Sequence, residues 1–236
     1  MGKRWVIPDI HGYVKTVTSL VNDLIRPARY DELYFLGDYI DRGPDSSAVV
    51  EYIIGLMRSG YTISCLIGNH EQMMLDSVKG ESELCLWQAN SGQATIKSYV
   101  KMFGFDDDGH LGFLPKAHLD FFTSLKQYFI VDDKYILVHG GLNTTAANPL
   151  EDTEAMLWSR LDDAPNDFMQ DYRIIHGHTP EALDVIADKL KQPNRRIFGL
   201  DAGCVYRGML FPGTGYLVAL DLDKWELNFV ECLDKW

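Results

Sequence analysis

The stretch Gly37-Asp38-Tyr39-Ile40-Asp41-Arg42-Gly43 directly follows the apolar run Leu33-Tyr34-Phe35-Leu36. An apolar run that ends in Gly-Asp predicts a buried strand that leads into a loop. In α/β proteins the loops at strand ends often carry the chemistry. A carboxylate there can bind a hard cation, and an arginine can contact a phosphate through two parallel hydrogen bonds. Taken alone, the stretch is also compatible with a charged surface turn, so the interpretation depends on the segments around it.

The first of these segments lies at the start of the chain. The short apolar run 5–7 leads into Pro8-Asp9-Ile10-His11-Gly12, and apolar residues at helical spacing follow over 14–24. Asp9 and His11 are two positions apart on extended backbone, so their side chains leave on the same side and can bind one metal ion. Capping of the following helix is the alternative role for this pair.

The second and third units follow the same plan of strand, loop and helix. The strand at 32–36 leads through the Gly-Asp loop into a helix that we predict from Ser46, as its N-cap, to about Arg58. A strand at 61–67 leads into Gly68-Asn69-His70-Glu71, with the next helix from about Gln72. Right-handed crossovers make consecutive strands parallel neighbours, so we expect the three loops to meet at one edge of a sheet.

Two later strands deliver histidines in the same way. An apolar hairpin over 128–138 ends in His139-Gly140-Gly141, and a strand at 172–175 leads into His176-Gly177-His178. Arg160 lies between them and is either a surface residue or a second phosphate contact. Further strands are predicted near 196–201, 216–221 and 226–232, and we expect them to form a second, antiparallel sheet.

Residues 80–125 interrupt this alternation with apolar side chains at helical spacing, and we predict a helical insertion beside the sheet. The acidic turn Asp106-Asp107-Asp108-Gly109 within it lacks the spacing of a calcium-binding EF-hand, and we interpret it as a solvated turn. No internal repeat or low-complexity linker is visible. We therefore expect residues 1–236 to form a single α/β domain built from two packed layers.

Composition restricts the function further. The net charge is −12, with 34 acidic and 22 basic residues, which disfavours nucleic acid as a partner. The four cysteines are far apart with no Cys-x-x-Cys pair, so we expect reduced thiols in the core of a cytoplasmic protein. No signal peptide is visible, and no segment approaches the roughly 18 apolar residues of a membrane span. The sequence therefore predicts no membrane partner, and the oligomeric state cannot be predicted.

The strand-end residues that could hold metal share carboxylate, amide or imidazole side chains. Such mixed ligands suit Mn²⁺, Fe or Zn²⁺ better than Ca²⁺. The set is larger than one open site needs, so two ions that share Asp38 are the economical arrangement, and nearby arginines favour phosphate as the substrate group. The reaction that this predicts is phosphoester hydrolysis. The set comprises Asp9, His11, Asp38, Asn69, His139 and His178, with His70 and His176 as further candidates.

The order and spacing of these motifs across residues 9–178 resemble those of the phosphoprotein phosphatase family of metallophosphoesterases. Trp158-Ser159-Arg160 is similar to a segment of its compact bacterial and phage serine/threonine phosphatases, whereas Pro8 stands where many members have glycine. The resemblance implies a two-sheet β-sandwich flanked by helices. The motifs that carry it are Asp9-x-His11-Gly12, Gly37-Asp38-x-x-Asp41-Arg42-Gly43, Gly68-Asn69-His70-Glu71, His139-Gly140-Gly141 and Gly177-His178.

The resemblance also implies a role for each matched residue. Asp9, His11 and Asp38 would hold one divalent ion, most simply Mn²⁺, and Asp38, Asn69, His139 and His178 a second. Arg42 and Arg160 would orient the phosphate for direct attack by a metal-bridging hydroxide. His70 would protonate the leaving group while Asp41 fixes its tautomer, although His70 could instead cap the next helix. His176 would be a residue at a strand end.

The leading hypothesis is therefore hydrolysis of phosphoserine and phosphothreonine in proteins. A symmetrical diadenosine tetraphosphate hydrolase is the nearest alternative, because the tail around Leu200-Asp201-Ala202-Gly203-Cys204-Val205 resembles that subfamily as well. A catalytically idle binding module would require a missing ligand, and none is missing. A metal-dependent nuclease is disfavoured by the net charge.

Overall fold

The computed structural model describes residues 2–104, 111–160, 171–207 and 212–235. The π-helical turn Leu20–Ile25 continues the first α-helix. In chain order the strands are β1 Arg4–Ile7, β2 Glu32–Phe35, β3 Thr62–Cys65, β4 Tyr128–Val131, β5 Tyr135–Val138, β6 Arg173–His176, β7 Ile197–Gly199, β8 Tyr216–Asp221 and β9 Glu226–Glu231. The α-helices are α1 Val14–Ser19, α2 Ser46–Arg58, α3 Asn69–Asp76, α4 Glu81–Ala89, α5 Gly92–Phe103, α6 Lys116–Ser124, α7 Thr153–Trp158 and α8 Leu183–Leu190.

Within the described residues, five strands form a first sheet in the order β3-β2-β1-β8-β9. The strands β1, β2 and β3 are parallel and in register, so Ile7, Phe35 and Cys65 lie side by side at their carboxyl ends. This confirms the prediction that three consecutive units deliver their loops to one edge of a sheet. On the other side of β1 the strands β8 and β9 run antiparallel.

The second sheet has the order β4-β5-β6-β7, in which the predicted hairpin of β4 and β5 is followed by two parallel pairs. The prediction that the last three strands form a second, antiparallel sheet is right only in placing β7 in this sheet, where it runs parallel to β6. The hairpin of β8 and β9 is antiparallel as expected, but Leu220 and Asp221 pair with β1, so the hairpin extends the first sheet. Local sequence patterns identify strands, but the edge that a hairpin joins is decided by long-range packing.

The two sheets pack face to face, which confirms a mixed α/β fold with two sheets flanked by helices. Val6 and Val218 of the first sheet share a buried apolar cluster with Leu137 and Ile175 of the second sheet. Ile7 points to the opposite face and packs in a larger cluster with side chains from the helices. Successive residues of β1 thus serve different layers, as the alternation of side chains along a strand requires.

Two helix starts differ from the prediction. The helix α3 begins at Asn69, three residues before the predicted start near Gln72, so Asn69 and His70 lie in its first turn. Ser46 is the first residue of α2, and Asp45 occupies the N-cap position without a side-chain capping bond. The Ser46 hydroxyl instead accepts a hydrogen bond from the main-chain N–H of Asp41. A polar residue can therefore mark a helix start approximately without forming the expected cap.

The segment predicted as helical contains α4, α5 and α6, while its acidic turn at 106–109 lies outside the described residues. The helix α4 packs against α3, and α5 packs against α2. Three cysteines are buried as predicted, but Cys85 on α4 is exposed, so the expectation of four core cysteines is wrong for this one. Across the described ranges, no helix is both long enough and apolar enough to cross a membrane.

Candidate metal centre and active site

The polar loops after β1, β2 and β3 meet the loops after β5 and β6 in one buried cluster. Ligand-type atoms of His11, Asp38 and His70 lie within 4.8 Å of one another, and so do those of Asp38, His139 and His178. Asp38 belongs to both groups. The residue predicted to serve two ions is therefore the one that the fold places between two sets of histidines.

The hydrogen bonds of two histidines favour the tautomer that metal binding requires. The Nδ1 of His11 lies 2.9 Å from the carbonyl oxygen of Ile40, and the Nδ1 of His139 lies 2.9 Å from that of Leu36. An Nδ1–H that donates to a carbonyl leaves Nε2 of a neutral imidazole unprotonated, with a lone pair that can bind a metal ion. Burial lowers the pKa of both histidines, which favours that neutral form. Their Nε2 atoms lie 3.4 and 3.5 Å from the oxygens of Asp38.

The second histidine group surrounds an amide oxygen. Asn69 Oδ1 lies 2.9 Å from His139 Nε2 and 3.1 Å from His178 Nδ1. An amide oxygen, a carboxylate and two imidazole nitrogens that converge in a buried position form a donor set that fits a divalent transition metal ion. Burial lowers the pKa of His178 to about 3, so this ring also offers a lone pair.

Asp9 lies beside these groups without belonging to either. Both of its carboxylate oxygens accept hydrogen bonds from the main-chain N–H of His178, at 2.9 and 3.0 Å. Gly177 permits this approach, because a Cβ at that position would lie 2.0 Å from Asp9 Oδ2. Burial, with the nearby carboxylates of Asp201 and Asp38, raises the pKa of Asp9 well above its usual range. A cation in this place would stabilise its ionised form.

The two predicted phosphate contacts differ in their surroundings. The Nη1 of Arg42 lies 2.7 Å from His11 Nε2, so its guanidinium reaches into the first histidine group. Arg160 is exposed, and its charge contributes to lowering the pKa of His178. Arg42 thus borders the cluster directly, while Arg160 lies at its solvent side.

His70 and Asp41 form a buried pair at the first histidine group. The Nδ1 of His70 lies 2.7 Å from Asp41 Oδ2, and the main-chain N–H of His70 donates to Asp38. The His70 ring meets the His11 ring edge to face, with centroids 4.9 Å apart. His70 Nε2 is buried and has no hydrogen-bond partner among the described residues. A buried ring nitrogen without a partner, next to a carboxylate cluster, is available to a ligand or substrate.

The backbone of this region is held in uncommon conformations. A left-handed φ is rare for residues with a side chain and persists where the surrounding structure imposes it. Here part of that structure is Glu71, which sequence reasoning did not assign. Its buried carboxylate accepts hydrogen bonds from the main-chain N–H groups of Asp38, Tyr39, Ile40 and Gly68. Left-handed φ angles occur at His11 (49°), Asp38 (52°), Asp41 (66°), Arg42 (64°) and His178 (65°).

His176 and Asp201 lie at the edge of the site. His176 ends β6, and its Nδ1 lies 2.9 Å from the carbonyl oxygen of Gly177, outside both histidine groups. Asp201 follows β7 and is a buried carboxylate that sequence reasoning did not assign. It accepts a hydrogen bond from the main-chain N–H of Gly203, and burial raises its pKa to about 6. Asp201 could have been found from the sequence, because it lies at the end of a predicted strand in the same way as the other residues of the cluster.

Comparison with known proteins gives relatives of two kinds. One is serine/threonine-protein phosphatase 1 of Salmonella typhimurium, which is 36% identical over 88 residues, covering 37% of this chain and 38% of that protein. Another is a symmetrical bis(5'-nucleosyl)-tetraphosphatase of Proteus mirabilis, 32% identical over 71 residues, covering 30% of this chain and 25% of that protein. The matched segments thus span well under half of these relatives.

A solved structure described as a putative diadenosine tetraphosphatase shares the fold. It superposes with a TM-score of 0.65 at 19% identity, covering 99% of this chain and 95% of that one. The model of the calcineurin-like phosphoesterase family matches residues 2–206, which include every candidate site residue. The chain belongs to the calcineurin-like phosphoesterase family.

Proposed function

We propose that this protein is a metal-dependent phosphomonoesterase that hydrolyses phosphoserine and phosphothreonine in proteins. The observation that carries the proposal is the pair of His70 and Asp41, whose free ring nitrogen borders the Asp38 cluster. A serine or threonine alkoxide is a poor leaving group, so it needs a proton as the P–O bond breaks. A buried histidine held by a carboxylate beside the phosphate position supplies one.

The proposed metal ligands are Asp9, His11 and Asp38 for one ion, and Asp38, Asn69, His139 and His178 for the other. The sharing of Asp38 between the two histidine groups supports this division. The mixture of carboxylate, amide and imidazole suits Mn²⁺, with Fe or Zn²⁺ as alternatives. When bound, two such ions would neutralise charge on the phosphate and lower the pKa of water in the site.

Four side chains beside the proposed metal centre would bind the substrate and transfer the proton. Arg42 and Arg160 bind the phosphate oxygens and orient the ester, so that the bond to the leaving oxygen points towards His70. Asp41 accepts the Nδ1–H of His70 and stabilises the protonated ring. His70 then donates its Nε2 proton to the departing oxygen. In this proposal the chain is a single domain, and residues 80–125 form a helical insertion whose helices border the site.

A second candidate function is symmetrical hydrolysis of diadenosine tetraphosphate. It is favoured by the tetraphosphatase relative and by the fold shared with a putative diadenosine tetraphosphatase over nearly the whole of both chains. The leaving group of that reaction is a nucleoside diphosphate, which departs without needing a proton. The buried acid is therefore less necessary for it than for a phosphoserine ester.

The experiment compares the two substrates on one preparation. Protein stripped of metal and refilled with Mn²⁺ is assayed for phosphate release from a phosphoserine or phosphothreonine peptide, and for ADP release from diadenosine tetraphosphate. We expect kcat/KM to favour the peptide at least about a hundredfold, with the metal-free protein as the background control. The opposite preference, with ADP as the sole product, would replace the proposal by the nucleotide hydrolase.

A further inference from the structure

The Asp41 carboxylate receives hydrogen bonds from more than the histidine it orients. Its Oδ2 accepts from Trp87 Nε1 at 2.9 Å as well as from His70 Nδ1 at 2.7 Å. Its Oδ1 accepts from Thr95 Oγ1 at 2.6 Å. All four side chains are almost completely buried. A carboxylate that is bonded through both oxygens in this way has one orientation available to it.

The two additional donors come from the helical segment that interrupts the strand order. Trp87 lies on α4 and Thr95 on α5. Thr95 Oγ1 also accepts a hydrogen bond from the main-chain N–H of Asp41 at 2.9 Å. Asp41 has a left-handed φ of 66°, so this contact helps to hold an uncommon backbone conformation. The segment therefore constrains both the side chain and the backbone of Asp41.

The position of the Trp87 indole is itself built into the packing. The indole lies against Gly92, where a Cβ would come within 2.6 Å of its Cδ2 and Cε2 atoms. On another side the indole stacks with Phe113, with an angle of 13° between the planes. Its N–H therefore points to Asp41 without freedom to turn away.

We propose that Trp87 and Thr95 are positioning residues, which fix the Asp41 carboxylate and through it align His70 with the leaving oxygen of the substrate. The proposal rests on the proposed function, since it assigns these helices a part in the same proton transfer. Loss of the indole N–H removes one of the three side-chain hydrogen bonds to the carboxylate and leaves Thr95 as its only donor besides His70, so the orientation of Asp41 and of the imidazole it holds is less tightly defined. The resulting fall in kcat should be largest for substrates whose leaving group must be protonated.

The kinetic test compares two substrates with different leaving groups. The manganese-loaded Trp87→Phe variant retains the stacking but lacks the N–H donor. We expect its kcat for a phosphoserine peptide to fall about tenfold or more, its KM to stay within about twofold, and its kcat for p-nitrophenyl phosphate to fall less than about threefold. Trp5→Phe is the matched control, because Trp5 Nε1 is buried without a hydrogen-bond partner among the described residues.

Substitutions of Thr95 provide an independent check. Thr95→Val keeps the shape but removes the hydroxyl, and it should reproduce the selective loss on the phosphoserine peptide. Thr95→Ser retains the hydroxyl and should restore most of the activity. An equal fall on both substrates in Trp87→Phe and Thr95→Val, or no rescue by serine, would assign these residues to packing alone and overturn the proposal.

A spectroscopic readout separates this inference from the proposed function. In zinc-loaded protein, the His70 Nδ1 proton is assigned as the downfield proton resonance that disappears in His70→Asn. Trp87→Phe should shift or broaden it, while Trp5→Phe should not, and an unchanged resonance would refute the positioning role. A wild-type protein that cleaves p-nitrophenyl phosphate but no phosphopeptide would refute the proposed function only. The leaving-group comparison then continues with aryl phosphates of graded acidity.

Discussion

His118 and His70 are two buried histidines that each contact a carboxylate, and they differ in how their second ring nitrogen is satisfied. His118 on α6 has both ring nitrogens satisfied, with Nδ1 at 2.8 Å from the Tyr99 hydroxyl and Nε2 at 2.8 Å from Glu51. His70 has Nδ1 on Asp41, but its Nε2 has no hydrogen-bond partner in the described part of the chain. Both rings are almost fully buried.

Burial and a carboxylate partner are thus not enough to identify a catalytic histidine. A histidine with hydrogen bonds at both ring nitrogens can link secondary-structure elements. His118 joins α6 to α2 through Glu51 and to α5 through Tyr99. A ring with one unpartnered nitrogen destabilises the folded state, because an unsatisfied buried polar atom costs about 1–3 kcal/mol. That cost is expected at a functional site, where a substrate supplies the missing partner.

The largest expected effect comes from Asp38, which lies between the two histidine groups. Asp38→Asn removes a charge from the proposed shared ligand, so the protein should lose metal and about a thousandfold or more of its activity. Metal analysis of the purified variant, together with its turnover of p-nitrophenyl phosphate, measures both. Retention of two ions per chain would contradict the bridging role. The substitution should leave the contacts of His118 unchanged, so we expect the Asp38→Asn variant to unfold in a cooperative transition like the wild type.

The next effect tests the free nitrogen of His70. His70→Asn should leave the metal content intact and lower kcat for a phosphoserine peptide by about 10²–10⁴-fold, since a positioned acid contributes on that scale. The loss on p-nitrophenyl phosphate should be much smaller, because nitrophenolate leaves readily without a proton. Steady-state kinetics with both substrates measures the ratio, and equal losses would rule out His70 as the acid.

Sequence reasoning predicted that polar residues at several strand ends would lie close together, and the structure brings His11, Asp38 and His139 into one cluster. Apolar runs that end in polar loops identify strand ends locally, and right-handed crossovers then place three of those loops together. Glu71 was also within reach, since Gly68-x-x-Glu71 has the spacing of a capping box. It was missed because the helix start was predicted three residues too late.

The remaining contacts could not be predicted because they depend on tertiary packing. Nothing near Trp87 or Thr95 in the sequence indicates Asp41, which lies 46 and 54 residues away. The same holds for the β8–β9 hairpin, whose pattern is right for a strand pair but does not specify β1 as its neighbour. Local periodicity thus determines elements and their ends, whereas packing decides which elements meet.

A smaller effect is expected from the satisfied pair. His118→Phe keeps an aromatic ring but removes both hydrogen bonds, which leaves the buried Tyr99 hydroxyl without this partner. We expect the free energy of unfolding to fall by about 1–3 kcal/mol, with kcat changed less than about twofold. Urea denaturation measures the loss. Lys116→Ala on the same helix is the control, because its exposed pair with Asp120 should contribute under about 1 kcal/mol. A tenfold fall in kcat would contradict the structural assignment.

The smallest effect is the pH dependence of that stability difference. Burial lowers the pKa of His118, with the hydrogen bond to Glu51 acting in the opposite direction. The unfolded chain therefore binds this proton more readily than the folded one, so protonation favours unfolding. The contribution of His118 should be complete above about pH 6.5 and decline as the pH falls through its folded pKa.

The difference in unfolding free energy between wild type and His118→Phe should thus shrink from pH 6.5 to 5, by at most about 1.4 kcal/mol per pH unit. The site histidines occur in both proteins and cancel. A difference that widens on acidification would mean that Glu51 outweighs burial, and that His118 is charged in the folded protein.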